Sequence, residues 1–315
     1  MRHSILLVGA GAVGQAYGWH FQRGGAEVAF LTRERHAAAA RAGFRLYPGG
    51  APRPVRFAGF DVLTSLEEVR ARDWEAVVLC VPSPALREGD WLDQVIATTG
   101  QATVVTLQPG LTDFDHVAAR AGERAVAGMV GLLAWAAPLP GRVGAPGTAF
   151  WWPPGGRCPL SGAAERVAPL VTLLRAGGLP AVEHADVPRA LAFGAAVLEP
   201  HVAALECAGF DLARLRGDRE LLATARAASR EAAAVAAAWR GGRVPWHVGR
   251  LPMRLLLRLA PLLAPIDLEG FLRAHYSKVR AQTRRGLAEV AEVGGQHGVA
   301  TPALRALGAR LEARA

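Results

Sequence analysis

Gly9, Gly11 and Gly14 are the residues whose spacing points most directly to chemistry, in the run Ile5-Leu6-Leu7-Val8-Gly9-Ala10-Gly11-Ala12-Val13-Gly14. An apolar strand that turns on glycines into a helix can hold the pyrophosphate of a dinucleotide. Gly9 permits the tight turn, Gly11 lets the backbone approach the phosphates, and Gly14 lets helix and strand pack closely. Ala10, Ala12 and Val13 fill the intervening positions. The first turn of the helix then offers unsatisfied N–H groups and the positive end of its dipole to the anion. The spacing alone is a weak signal. Its context is what the motif requires: an apolar run before it, a Pro-free stretch Ala12–Phe21 after it, and a second apolar run at Glu27–Leu31.

The end of that second strand selects the dinucleotide. An NAD site carries an Asp or Glu about twenty residues past the fingerprint, accepting from the ribose 2′-hydroxyl. Here the segment reads Thr32-Arg33-Glu34-Arg35-His36. Arg33 stands where the carboxylate would be, and a planar guanidinium suits a 2′-phosphate. NADP is therefore the expected cofactor. Glu34, one residue on, is the alternative ribose acceptor and would favour NAD.

A second candidate comes from composition. Lysine and arginine total 36 residues, yet Lys278 is the sole lysine, and asparagine is absent. This is the composition of a chain from which residues with A/T-rich codons have been driven out. Arginine replaces lysine where only charge is needed, but it does not titrate near neutrality, whereas a desolvated lysine does. On one helix, His275, Lys278 and Gln282 share a face at i, i+3 and i+7. Lys278 and His275 are the expected proton donors if that face looks into a cleft; the alternative is a solvated helix face.

These residues need a scaffold. Strands are expected at Ile5–Val8, Val28–Leu31, Ala76–Val81 and Thr103–Leu107, with helices at Ala12–Arg23, Arg33–Ala42 and Ala85–Ala97 between them. That alternation predicts an α/β fold with an N-terminal Rossmann domain, a doubly wound and mostly parallel sheet. Trp135–Pro138 and Thr148–Trp152, separated by Pro/Gly turns, read as an added antiparallel pair. Beyond Ala185 the pattern is all-helical, at Val187–Cys207, Asp218–Arg240, Leu268–Gly294 and Pro302–Ala313, with Gly241-Gly242 capping the second. The expected domains are residues 1–184, binding the cofactor, and 185–315, helical and serving substrate binding or dimerisation. Chemistry in such enzymes falls in the cleft between the two.

The chain of 315 residues carries a net charge of +9. Its arginines are scattered rather than interleaved with aromatic residues, so no nucleic-acid partner is expected. Arg250, Arg254 and Arg258 are the exception. They recur among Leu251, Leu255, Leu256, Leu257 and Leu259 as a basic amphipathic helix, expected to cover a cleft or a subunit interface, with membrane-surface binding the alternative. No apolar stretch is read as transmembrane and no membrane partner is expected. The apolar N-terminus runs straight into the glycine turn and is not read as a signal peptide. Cys80, Cys158 and Cys207 are odd in number and unclustered, which suits a reducing cytoplasm and no metal site. Trp151-Trp152, His184 and His247 are expected to be structural. Hydrolase, kinase and zinc-enzyme motifs are missing from the sequence.

Several segments together resemble the ketopantoate reductase (2-dehydropantoate 2-reductase) family along nearly the whole chain. They are Gly9–Gly14; Leu31–His36 with Gly43-Phe44; Val78-Leu79-Cys80-Val81; Thr106-Leu107-Gln108-Pro109-Gly110; Pro200; and Gly298-Val299-Ala300-Thr301-Pro302. The resemblance implies a Rossmann domain followed by a helical one. It also implies NADPH-dependent reduction of 2-dehydropantoate, a step of pantothenate biosynthesis, and a small 2-oxo acid as substrate, and it allows a homodimer. It extends the cofactor site to Val81, Pro82, Gln108 and Pro109.

The family's catalytic residues do not carry over. Its lysine and two asparagines on the first helix of the second domain fall on Leu191, Ala195 and Glu199. The lysine of its "VK" motif falls on Pro82, the asparagine of its "LQNG" on Pro109, and its C-terminal glutamate near Gln282. Loss of a positioned general acid costs about 10²–10⁴ in rate. Glu199, a carboxylate on the family's catalytic face, is a third candidate, to act as an acid or to hold a substrate amine. Two other readings therefore stay open: a non-catalytic NADPH-binding protein, and an opine-type dehydrogenase joining an amino acid to a keto acid.

Overall fold

Within Ser4–Val8, Ile5 and Leu7 point to one side of the sheet and Leu6 and Val8 to the other, and all four are buried. A strand apolar on both faces belongs at the centre of a covered parallel sheet, and that is its place in the computed structural model. The structure describes residues 3–246, 248, 253–264, 266–278 and 280–313. The chain divides into two units, Met1–Val187 and Pro188–Ala315.

The first unit runs, in chain order, β1 (Ser4–Val8), α1 (Ala12–Arg23), β2 (Glu27–Leu31), α2 (Glu34–Arg41), β3 (Phe44–Pro48), β4 (Val55–Phe57), β5 (Asp61–Leu63), α3 (Leu66–Arg70), β6 (Ala76–Leu79), a 3-10 turn (Ser83–Arg87), α4 (Trp91–Thr98), β7 (Thr103–Thr106), α5 (Asp113–Ala121), β8 (Ala125–Gly128), β9 (Leu133–Ala137), β10 (Gly147–Trp151), β11 (Cys158–Ser161), α6 (Ala164–Ala176) and β12 (Ala181–Glu183). Eight strands form one sheet in the order β12-β11-β8-β7-β6-β1-β2-β5. From β8 to β5 every neighbouring pair is parallel; β11 turns antiparallel to β8. The order runs outward from β1 in both directions, as the doubly wound expectation required. One core lies under α1 and α6, the other under α3, α4 and α5.

β9 and β10 pair antiparallel as expected, but inside a second sheet of four strands, β4-β3-β10-β9. The short strands β3 and β4 carry no strong alternation and are not evident in the sequence. Phe30, Phe44, Phe57 and Phe60 cluster beneath them, with ring centroids 4.6–6.1 Å apart. One expected helix is divided: Ala85–Ala97 splits into the 3-10 turn and α4, separated by Gly89 at φ +67°. Trp152 is structural, 5.8 Å from the His20 ring and stacked on Phe150.

The second unit is helical throughout its described elements: α7 (Val187–Cys207), α8 (Leu212–Gly217), α9 (Arg219–Arg240), α10 (Met253–Leu263), α11 (Leu268–Lys278), α12 (Arg280–Gln296) and α13 (Pro302–Glu312). Local chemistry sets their ends. The side chains of Asp211 and Asp218 cap α8 and α9, and Gly241 at φ +74° ends α9. The Glu231 carboxylate accepts from the N–H groups of Ala303 and Leu304 (3.0 and 2.9 Å), which fixes the start of α13 on α9. The expected helix Leu268–Gly294 falls on α11 and α12. The residue between them, Val279, lies outside the described residues, as do His247, Arg250 and Leu251. Another correction concerns α7. By length and composition alone it could cross a membrane, although the sequence was read as having no such stretch. Its Ala192, Ala196, Ala203 and Ala204 are nonetheless buried, as in a core helix.

His20, near the end of α1, is almost fully buried, and its Nδ1–H donates to the carbonyl of Gly177 at 2.8 Å. Burial holds its pKa down at about 4; the Gly177 bond raises it in part and Arg23 lowers it further. Unfolding restores an ordinary value near 6.5, so between pH 6.5 and 4 the unfolded chain binds the proton and the folded chain does not. Stability therefore falls as pH falls through that window, by about 3 kcal/mol in all from this group. Below it the loss levels off. Scanning calorimetry of wild type and His20→Gln should show the acid-side decline in Tm markedly flattened in the variant.

Candidate functional site

The glycine turn is built by contact. A Cβ on Gly14 would overlap the carbonyl oxygen of Gly9, so α1 lies against the end of β1 only because residue 14 has no side chain. Gly9 takes φ +103°, and a Cβ there would crowd the Cys80 carbonyl at 3.2 Å and Val81 at 3.3 Å. Gly11 is different. It adopts ordinary extended backbone (φ −74°, ψ −176°) at the N-cap of α1, and a Cβ would meet nothing within 4 Å. Open space thus faces the helix end. The first turn of α1 has no acidic residue, and no side chain caps it. These residues fit an anion such as a dinucleotide pyrophosphate, held by backbone N–H groups.

Neighbouring strand ends extend this turn along one edge of the sheet. The Gly9 N–H donates to the Leu31 carbonyl (3.0 Å) and the Cys80 N–H to the Val8 carbonyl (2.9 Å). Gln108 is buried, and its amide donates to the carbonyls of Leu79 (2.9 Å) and Val81 (2.7 Å), tying the end of β7 to the end of β6. Gly9, Ala10, Gly11, Ala12, Val13, Gly14, Val81, Pro82, Gln108 and Pro109 therefore lie at the carboxyl ends of the adjacent strands β1, β6 and β7. Arg33 follows β2 at the N-cap of α2. It is exposed and, among the described residues, without an ion-pair or hydrogen-bond partner. Burial pushes the Cys80 thiol far up, which keeps it an inert wall of the turn.

Two residues not singled out in the sequence brace this edge. Asp113 is 1% exposed. It accepts from the Gly110 N–H at 2.9 Å and pairs with Arg87 at 2.5 Å, while Arg87 also donates to Thr112. The clamp joins the turn after Pro82 to the turn after Pro109, the two exposed positions where the resembled family carries lysine and asparagine. The only sequence signal was an aspartate in the first turn of a helix just after a Pro-Gly.

In the second unit, Leu191, Ala195 and Glu199 form one stripe along α7, half-buried. Gly286 of α12 lies against Glu199: a Cβ there would come within 2.8 Å of Glu199 Oε2. Tyr276 of α11 is pushed up to about 12, by burial first and by the Glu199 charge second, so it keeps its O–H at neutral pH. The His275 ring packs on Phe271 (5.4 Å) and on Tyr276 (4.9 Å). Glu199, Tyr276 and His275 thus fall in one neighbourhood of α7 and α11. Lys278 ends α11, and its side chain lies outside what the structure describes. Gln282 lies on α12. Glu206, buried and raised by desolvation, pairs with Arg280 at 3.4 Å, which ties α7 to α12.

Residues 5–147 match the family model described as "Ketopantoate reductase PanE/ApbA". That segment, a little under half of the chain, is similar to the ketopantoate reductase family. Among solved structures, 2-dehydropantoate 2-reductase from Geobacter metallireducens GS-15 is similar, with TM-score 0.77 and 20% identity over 99% of this chain and 100% of that one. The PanE/ApbA family ketopantoate reductase from Ralstonia eutropha JMP134 has TM-score 0.74 and 20% identity over 98% and 97%. A D-mandelate dehydrogenase solved with NADH and anilino(oxo)acetate has TM-score 0.76 and 18% identity over 99% and 98%. At these identities the likeness is one of fold, and it extends through the helical unit. No curated protein matches the sequence.

Gly11 and Gly14 are expected to separate by stability. Gly14→Ala should cost about 1–3 kcal/mol or more, because helix and strand must part. Gly11→Ala, facing open space, should leave unfolding within about 1 kcal/mol of wild type. Thermal unfolding of the two variants measures this directly.

Proposed function

We propose that the protein is an NADPH-dependent oxidoreductase that reduces a small 2-oxo acid, or a related carbonyl compound, by hydride transfer. The observation that carries this reading is the glycine turn, with open space before Gly11 at the N-terminus of α1 and the unpaired guanidinium of Arg33 at the neighbouring strand end. The turn would hold the pyrophosphate and Arg33 the 2′-phosphate. Val81, Pro82, Gln108 and Pro109, on the edge next to it, would border the nicotinamide side. When bound, the nicotinamide supplies the hydride.

The remaining requirement is a proton for the oxygen of the reduced carbonyl. With Leu191 and Ala195 in place of polar groups, the donors left in the second unit are Lys278, His275 and Glu199, beside the protonated Tyr276 hydroxyl. We assign the role to Lys278 first, because a lone lysine in an arginine-rich chain suits a task arginine cannot perform. The three free cysteines suit a reducing compartment such as the cytoplasm.

A second reading is favoured by one specific observation. Prolines stand at 82 and 109 and apolar residues at 191 and 195, which is what a protein that kept its cofactor and lost its chemistry would show. NADPH binding followed by fluorescence, then NADPH oxidation against a panel of 2-oxo acids beginning with ketopantoate, with and without added amino acids, separates the readings. Turnover supports the enzyme; tight binding without turnover of any substrate supports the second reading. No binding would end both.

Two variants sharpen the test. Arg33→Asp should weaken NADPH at least about tenfold while sparing NADH. Lys278→Arg and Lys278→Met should both lower kcat by about 10²-fold or more with the cofactor affinity unchanged. Full activity in both would remove Lys278 from the mechanism.

A further inference from the structure

One surface of the second unit has no role in the proposed chemistry. α10 packs on α8, and its Met253, Leu257 and Ala260 are half-buried, while Leu255, Leu256, Leu259 and Leu262 stand in solvent along another side. Leu262 is 78% exposed, and Trp246, shortly before the helix, is 77% exposed. Arg254 and Arg258 flank the leucine stripe, both exposed, and among the described residues neither has an acidic partner. Residues 241–266 contain four arginines and neither aspartate nor glutamate.

We propose that α10, with Trp246, is a docking surface for an anionic lipid bilayer, on which the helix lies flat. Leucines on one side, arginines at the flank and a tryptophan at the edge are the arrangement that buries an apolar face among acyl chains while cations meet headgroup phosphates. Two observations choose this occupant over a second copy of the chain. The first is charge. The protein carries +9, and residues 241–266 around the stripe supply four arginines and no carboxylate, so two copies meeting here repel while an anionic surface attracts. The second is area. Eleven residues of helix are about 16 Å long, and a strip roughly 10 Å wide offers about 160 Å². A stable protein interface buries about 800 Å² on each partner. The helix is also far shorter than the roughly 20 residues needed to span a bilayer, so it lies in the interface.

The test is co-sedimentation of the full-length chain with phosphatidylcholine vesicles, with or without phosphatidylglycerol. Wild type should pellet with the anionic vesicles, stay in solution with phosphatidylcholine alone, and be released at about 1 M salt. Arg254→Gln should lower partitioning about fivefold, and Arg258→Gln in addition should lower it by about fivefold again. Leu255→Gln with Leu259→Gln should abolish it without changing thermal unfolding. If the leucine variant does not fold, wild type on the two vesicle types and the arginine variants carry the test alone. Equal pelleting with and without phosphatidylglycerol, or wild type that stays in solution with both, overturns the proposal. So does a dimer in sedimentation velocity that the leucine or arginine variants convert to monomer, because a second copy then covers the face.

Discussion

The contact of Gly14 with the carbonyl of Gly9 is the constraint on which the nucleotide-binding half is organised. It brings the first turn of α1 down onto the end of β1, and only a residue without a side chain permits it. From that contact the rest follows in steps. The helix end opens at Gly11, Gly9 bonds to the end of β2 and so brings Arg33 alongside, and the ends of β6 and β7 line up on the other flank through Gln108. No ionisable side chain is needed for this assembly. It is made of backbone hydrogen bonds and missing Cβ atoms.

The glycine turn was legible in the sequence because its information is local. Gly9, Gly11 and Gly14 sit within six residues, and Arg33 closes the next strand. The parallel sheet was legible for the same reason, since strands apolar on both faces alternate with helices. What was not legible depends on pairing at a distance. β3 and β4 are short and irregular, and they gain their strand character from β10, a hundred residues later. The Arg87–Asp113 clamp joins two turns that share no motif.

The second unit is a helical scaffold whose candidate residues lie on α7 and α11. The stripe Leu191, Ala195 and Glu199 still runs along α7, and α12 still approaches it closely, through Gly286. What occupies the stripe is two apolar residues and a carboxylate. That carboxylate and burial together keep Tyr276 protonated far above neutrality, a donor that titrates only in strong base. A carboxylate beside a largely desolvated phenol is costly unless it is compensated.

Two other glycines set the order in which the chain can be completed. Gly24, ending α1, lies against the carbonyl of Leu173, and Gly177, ending α6, lies against the carbonyl of His20, so each helix terminus occupies the space where the other would carry a side chain. The His20–Gly177 bond closes the same joint across 157 residues. During synthesis the first helix therefore emerges long before the surface that locks its end. The family-matched segment stops at residue 147, short of α6 and of strands β11 and β12. It is thus a unit of ancestry but not of folding, and the ribosome must deliver most of another forty residues before the nucleotide-binding half can close.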